Sequence, residues 1–380
     1  MGRRRSAVAL ALSLLAATPA VAQAPEYRVP VLVPLTGFIA LEGTSQRNGA
    51  LLAIRQIGDI AFKPDVLDTA STPEAAVTAW ARAVGDGQPP IATIGPILGT
   101  QMLALLPLAQ ERGVPLITIS GTARLAEMGN THLFRFFPSD ATVKVAHARY
   151  VVEKLGAKRP AVIYQSTAYG QSGREQLAKT FTQLKTPAVL EESVAPTVND
   201  LTPALLRAKA ANADVLVLHL HAPSTVLAVR QARQVLAGVP IVAGSAMHQP
   251  ATAALLEPAE LKGVCAETAS SPLSAANKPM ADFLRDYRAA YNNSDPDAFA
   301  AAQYDAVFML RHVVAKLRAG SRPVSAASVR DGLATEEWRG VATTYRSDGK
   351  GNMAHEAEIV CYDGQSRVPK LSSRYSFPAR

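Results

Sequence analysis

The stretch VPVLVPLTGFIALEGTSQRNGALLAIRQI, Val29 to Ile57, decides how this chain is read. Tyr27 to Pro34 has the apolar character of a strand. Pro34-Leu35-Thr36-Gly37 turns the chain, and Gly43 to Ile57 then places Ala50, Leu51, Ile54 and Ile57 on one helical face. A buried strand ending in a glycine turn, with a helix N-terminus opening just beyond, is the unit from which open α/β sheets are built.

Outward from it, the same unit repeats. Expected strands at 65–68, 91–94 and 115–119 alternate with helices at 73–84, capped by Thr72, and at 100–112. After Phe134 to Pro138 the rhythm restarts: helix 141–155, strand 161–164, helix 173–184, strand 188–194, helix 201–211, strand 215–220, helix 224–236, strand 241–244, a short helix at 251–256 and strand 263–268. Helices at 279–291 and 297–317 follow. The tail from Arg339 to Tyr362 reads as hairpins around Ser347 to Gly351 and around Asp363-Gly364. Short apolar runs between helices predict parallel sheets covered on both faces. The fold class is α/β, as two doubly wound lobes. The expected lobes are 27–138 with 268–334, and 139–267 with 335–380, with crossings near Pro138, Glu267 and Thr335.

Residues 1–22 read as a secretory signal peptide: Arg3, Arg4 and Arg5, an apolar run from Ala7 to Thr18, then Ala20-Val21-Ala22 before a cut near Ala22–Gln23. The run is short for the roughly 20 residues of a membrane span. Without those arginines the formal charge falls from +8 to +5, scattered along the chain, which gives no nucleic-acid footprint. About 355 residues remain, more than one core commonly holds. Cys265 and Cys361 are either a disulfide, in keeping with an oxidising compartment, or two small buried hydrophobes on strands. No cysteine spacing suggests zinc.

Gly37, Gly99, Gly121 and Gly170 all fall where a strand gives way to a helix. Ligands of open α/β sheets bind there, outside the carboxyl ends of the strands, where free N–H groups favour an anion. Each glycine taken alone is more simply a turn residue; four at corresponding junctions point to a site.

PLTG, NGALLAI, IGP at Ile94 to Pro96, FFPSD at Phe136 to Asp140, AYGQSG at Ala168 to Gly173 and AxxYDAVFML from Ala301 together resemble the solute-binding proteins of branched-chain amino-acid ABC transporters, in order along nearly the whole chain. The resemblance implies a periplasmic, monomeric, type I periplasmic binding protein fold with a multi-strand hinge and a small-molecule ligand between the lobes. It also implies an ABC membrane permease as partner and no cofactor. First-lobe contacts would come from Thr36, Leu41 and Glu42, from Gly99 and Thr100, and from Gly121 and Thr122, with the Thr100 and Thr122 hydroxyls on a carboxylate. Second-lobe contacts would come from Tyr169, His221, Ala222, Ala246 and Met247, with Phe299 a ligand-facing aromatic. Tyr169 is the first choice among them, a ring with a polar tip suited to an amphipathic ligand.

The family sets a second-lobe carboxylate against the ligand's ammonium, and Gly244 to His248 has none; the SGTAR turn is also short. A buried ammonium without a partner costs several kcal/mol. The departure favours an organic or aromatic acid, or a neutral amide-like solute, with Glu42 the residue able to supply the missing charge. His219, His221 and His248 are three potential zinc ligands, but no carboxylate motif accompanies them. No G-x-S-x-G, H-E-x-x-H or P-loop occurs, and no G-x-G-x-x-G follows the first strand, so catalysis is not indicated. The other class is a sensor or accessory protein that keeps the lobes and has lost the binding groups.

Overall fold

The computed structural model describes residues 25–85, 87–274 and 277–378; the expected signal peptide lies outside them. Two sheets form the frame. The first orders five parallel strands as Val66–Asp68, Val31–Val33, Thr93–Ile94, Leu116–Thr118 and Leu133–Arg135. The second has seven strands in the order Lys370–Ser376, Glu356–Cys361, Val264–Thr268, Ile241–Ala243, Val215–His219, Pro160–Gln165 and Leu190–Val194. Its five inner-chain strands are parallel and its two tail strands antiparallel.

Alternation along each strand feeds two cores. Val31 and Val33 face the core that contains Phe136, Phe299 and Leu310, while Leu32 faces Trp80, Met102 and Leu105. Leu216 and Leu218 likewise face one side of the second sheet, and Val215 and Val217 the other. Successive side chains point to opposite faces, so a strand covered on both sides must be apolar throughout.

The helix of the opening stretch spans Ala40–Gln56, beginning three residues before the expected Gly43, which places Glu42 in its first turn. It lies against Ala298–Ala319, and the approach is close: a Cβ on Gly49 would stand 2.1 Å from the Ala300 carbonyl oxygen. Thr72 caps its helix as expected, accepting from Ala75 N at 3.2 Å. The Ala326–Thr335 helix, closed by a Ser325/Ser328 capping box, has no counterpart in the sequence reading.

The return at Thr335 requires correction. After that helix the chain stays with the first lobe: Asp305 accepts from Val341 N at 2.7 Å, Ala342 N at 2.9 Å and the Tyr345 hydroxyl at 3.1 Å. These donors satisfy a fully buried carboxyl and pin the Glu337–Arg339/Thr344–Arg346 hairpin to the Ala298–Ala319 helix. The Ser347 to Gly351 turn lies beside the first sheet, where Arg135 N donates to Gly351 O and Met353 N to Arg135 O. Met353 and Ala354 still belong to the first core, and Glu356 opens a strand of the second sheet, so the third crossing falls at 354–356. The second sheet also holds the cysteines: Cys265 and Cys361 are directly opposed on antiparallel strands, Cα atoms 4.0 Å apart, and joined as a disulfide.

Candidate functional site

The two lobes meet face to face. Glu42, at the start of the Ala40–Gln56 helix, accepts a hydrogen bond at 3.0 Å from the backbone N–H of Ala222, the first residue of the second-lobe helix Ala222–Val235. Gln249 Nε2 donates to Asp297 Oδ2 at 2.7 Å, Ala298 N donates to His248 Nε2 at 2.9 Å, and Ala123 N donates to Ser172 Oγ at 2.8 Å. Each of these bonds joins one lobe to the other.

Between them lies a small cavity of about 30 Å3. Its first-lobe wall is apolar, made by Ile39, Ile97, Ile119 and Phe299 around Glu42. The crossing adds Phe137, Pro138, Asp140 and Val143, and the second lobe adds Tyr169, His221, Ser245 and Ala246. Phe137 and Phe299 hold each other with ring centres 5.1 Å apart. Tyr169 lies over His219 at 3.9 Å and beside His221 at 5.1 Å. Among the described residues no Lys or Arg lines the cavity.

Of the residues expected at the site, Glu42, Gly121, Tyr169, His221, Ala246 and Phe299 share this cavity, and Ala222 reaches it through its N–H to Glu42. Thr36 instead donates to Asp68 on the surface, at 2.7 Å. Leu41 is 36% exposed on the outer face of its helix. Gly99 serves a close approach, since a Cβ there would lie 2.0 Å from Thr122 Oγ1. Neither Gly99 nor Thr100 lines the cavity, and Thr122 lines a separate groove with Arg124, Met128, Gln171 and Glu175. Met247 is wholly buried in the second core, its carbonyl accepting from the Tyr362 hydroxyl at 2.8 Å. The strand-end rule points to the end of each sheet at which this cavity lies. It could not separate residues facing the cleft from those one position away that face the core.

Asp140 and Phe137 were missed as site residues, although both stand in the FFPSD stretch. Ser139 caps the helix Asp140–Arg149, so the following residue occupies its first turn, and the crossing aims that turn at the cleft. Burial pushes the Asp140 carboxyl up to about 7, with the Glu267 carboxylate adding to it, against the pull of the Lys144 ammonium and the nearby Ser172 hydroxyl. Burial also raises Glu42 to about 7, partly offset by the Ala222 N–H; its Oε2 is unpartnered.

Behind Tyr169 lies a second polar cluster with no exposure. Lys144 Nζ and His147 Nδ1 hold the two oxygens of Glu267, the latter at 2.8 Å, and Ser245 Oγ donates to Oε1 at 3.4 Å. Burial works to raise Glu267, but the Lys144 ammonium and the His147 hydrogen bond outweigh it and hold the carboxyl well below the ordinary range. The three histidines considered for zinc are otherwise engaged: His219 Nε2 meets the Tyr169 carbonyl at 2.9 Å, His221 stacks on Tyr169, and His248 accepts from Ala298 N. Among the described residues no group of three potential ligands is placed to hold a metal ion.

Two mostly parallel sheets, three crossings and a cavity shared between the lobes form one architecture, and residues 26–366 match the family model for periplasmic binding proteins. The chain belongs to that family. The Leu/Ile/Val-binding protein BraC3 of Rhizobium johnstonii is 26% identical to this periplasmic binding protein over 312 residues, covering 80% of this chain and 83% of that protein. A leucine binding protein from Thermotoga maritima superposes with a TM-score of 0.82 at 24% identity, covering 92% of this chain and 99% of that one. A solute binding protein of an ABC transporter from Rhodopseudomonas palustris, in complex with p-hydroxybenzoic acid, gives 0.83 at 17% identity, covering 93% and 98%. At such identities the solved structures speak for the type I fold alone.

Proposed function

We propose that this periplasmic binding protein captures a small amphipathic solute, an amino-acid-like molecule or an organic or aromatic acid, between its lobes and delivers it to the permease of an ABC importer. The carrying observation is the cavity itself, which draws residues from both lobes and from the crossing, with an apolar wall and a few convergent buried polar groups. A solute touching both walls favours the closed arrangement by its differential affinity for that state, and closure presents both lobes to a membrane partner. The ligands that the relatives are named for or hold, branched-chain amino acids and an aromatic acid, share the form of an apolar body with a polar end.

The test is a thermal-shift screen of amino acids, amines and organic acids, followed by small-angle scattering. At a hundredfold excess over Kd a ligand stabilises by about 2.7 kcal/mol. The expected result is a raised Tm and a smaller radius of gyration with the same solute. An unchanged radius at saturation would sink the closure mechanism. The tightness of the cavity favours one alternative, an accessory protein without a transported solute. Silence across the screen, with a membrane partner still retained on the immobilised protein, would select that reading.

A further inference from the structure

Two carboxyl groups face the interlobe cavity with hydrogen-bonding capacity left over. Glu42 is 2% exposed; its Oε1 takes the Ala222 N–H, and its Oε2 takes nothing. Asp140 is 1% exposed; the Ser172 hydroxyl lies beside it, and its remaining acceptor capacity is unused. A buried polar atom left unsatisfied is costly, and native interiors rarely tolerate one without a use.

The charges around them are unequal. Asp140 feels the Lys144 ammonium, the opposing Glu267 carboxylate and the Arg135 guanidinium, and both cations are engaged elsewhere, Lys144 by Glu267 and Arg135 by the Ser120 and Thr122 carbonyls and Asn352. Glu42 has no cationic neighbour; the charged group acting on it is Asp297, of the same sign. The remaining polar side chains of the wall are Tyr169, His221 and Ser245, and burial keeps His221 neutral by lowering it to about 3. An anion entering this space would meet two carboxyls and, among the described residues, no Lys or Arg in the wall. A cation would meet two acceptors, together with the faces of Phe137, Phe299 and Tyr169, to which positive charge is attracted.

We propose that the solute is recognised through a cationic nitrogen on a compact apolar body, and that Glu42 receives this nitrogen with Asp140 as second acceptor. The inference rests on the cavity being a solute site and narrows the proposed ligands to those carrying an amine. It also places the counter-charge on the first lobe and the crossing, whereas the sequence comparison had looked for it between Gly244 and His248. Burial raises both carboxyls to about 7, so they stand neutral or easily neutralised in the closed arrangement and ionise when a cation arrives.

Matched ligands test this on the unaltered protein. Leucine, 3-methylbutylamine and 4-methylpentanoate share one apolar body; phenylalanine, 2-phenylethylamine and 3-phenylpropanoate share another. By calorimetry, the nitrogen-bearing members of at least one set should bind at least tenfold tighter than the acid that lacks nitrogen. Glu42→Gln should weaken the amine at least tenfold and Asp140→Asn to a smaller degree, while Glu153→Gln, on an exposed helix face, leaves affinity unchanged. The comparison of ligands stands even where a variant folds poorly. A nitrogen-free acid binding as tightly as its amine overturns the inference and leaves solute capture intact. No response to any of the six, or to a wider library of amines and acids, overturns both.

Discussion

Glu42→Gln offers a measurement on stability that needs no ligand. The carboxyl is carried from 4.5 to about 7, chiefly by burial and with the field of Asp297 adding to it. The folded protein therefore holds this proton more tightly than the unfolded chain does. Its stability falls as pH climbs from about 4.5 toward 7 and levels off above that. Each tenfold change in proton affinity is worth 1.36 kcal/mol, so the ionised carboxyl costs the folded state about 3 kcal/mol at pH 8.5. Glutamine keeps an oxygen for the Ala222 N–H and never ionises, so it escapes the cost. The other groups near the cavity, Asp140, Tyr169 and His221, titrate alike in both proteins and largely cancel in the difference. Urea unfolding reads it directly, because both tryptophans, Trp80 and Trp338, pack in the first lobe with Glu42. The variant should match the parent at pH 4.5 and exceed it by about 3 kcal/mol at pH 8.5. An equal displacement at both pH values, or a loss at pH 8.5, would refute the assignment of an uncompensated buried carboxyl.

Lys144→Met removes the ammonium that holds Glu267 and should cost about 3–5 kcal/mol, much of it recovered in the double variant with Glu267→Gln; urea midpoints followed by circular dichroism measure both. Because the Glu267 carboxyl is depressed, its contribution is present above its ordinary value of 4.5 and is lost as pH falls below that, so the parent should show a steeper acid-induced decline than the double variant. Gly49→Ala sets a methyl against the Ala300 carbonyl and should cost about 1–3 kcal/mol in the tryptophan-detected transition, whereas Gly58→Ala, with open space around it, should change little. Replacing Cys265 and Cys361 together by alanine opens a link between residues 96 apart and should lower second-lobe stability by about 2–4 kcal/mol. The effect should appear in circular dichroism more than in tryptophan fluorescence.

The amino-acid sequence by itself determined the architecture. Val31 to Val33, Val215 to His219 and their neighbours are apolar on both sides, and only strands inside a covered parallel sheet accept that pattern. Thr72 marks a helix start through local chemistry, whereas the helix capped by Thr167 begins at Ala168, five residues before the expected Gly173. Of the glycines at strand-to-helix junctions, Gly121 lines the cavity and Gly37, Gly99 and Gly170 do not. The tertiary structure alone decided which side chains at that end meet. Thr100 and Met247 stand three and one positions from the cavity residues Ile97 and Ala246 yet face elsewhere, because the orientation of a helix start depends on how the two lobes dock. The Asp305 carboxyl gathers its donors from residues 36 to 40 positions away and thereby moves the third crossing from Thr335 to Ala354. Glu42 and Asp140 acquire their character only when burial strips water from them. Desolvation is a property of the folded molecule, and no local run of residues encodes it.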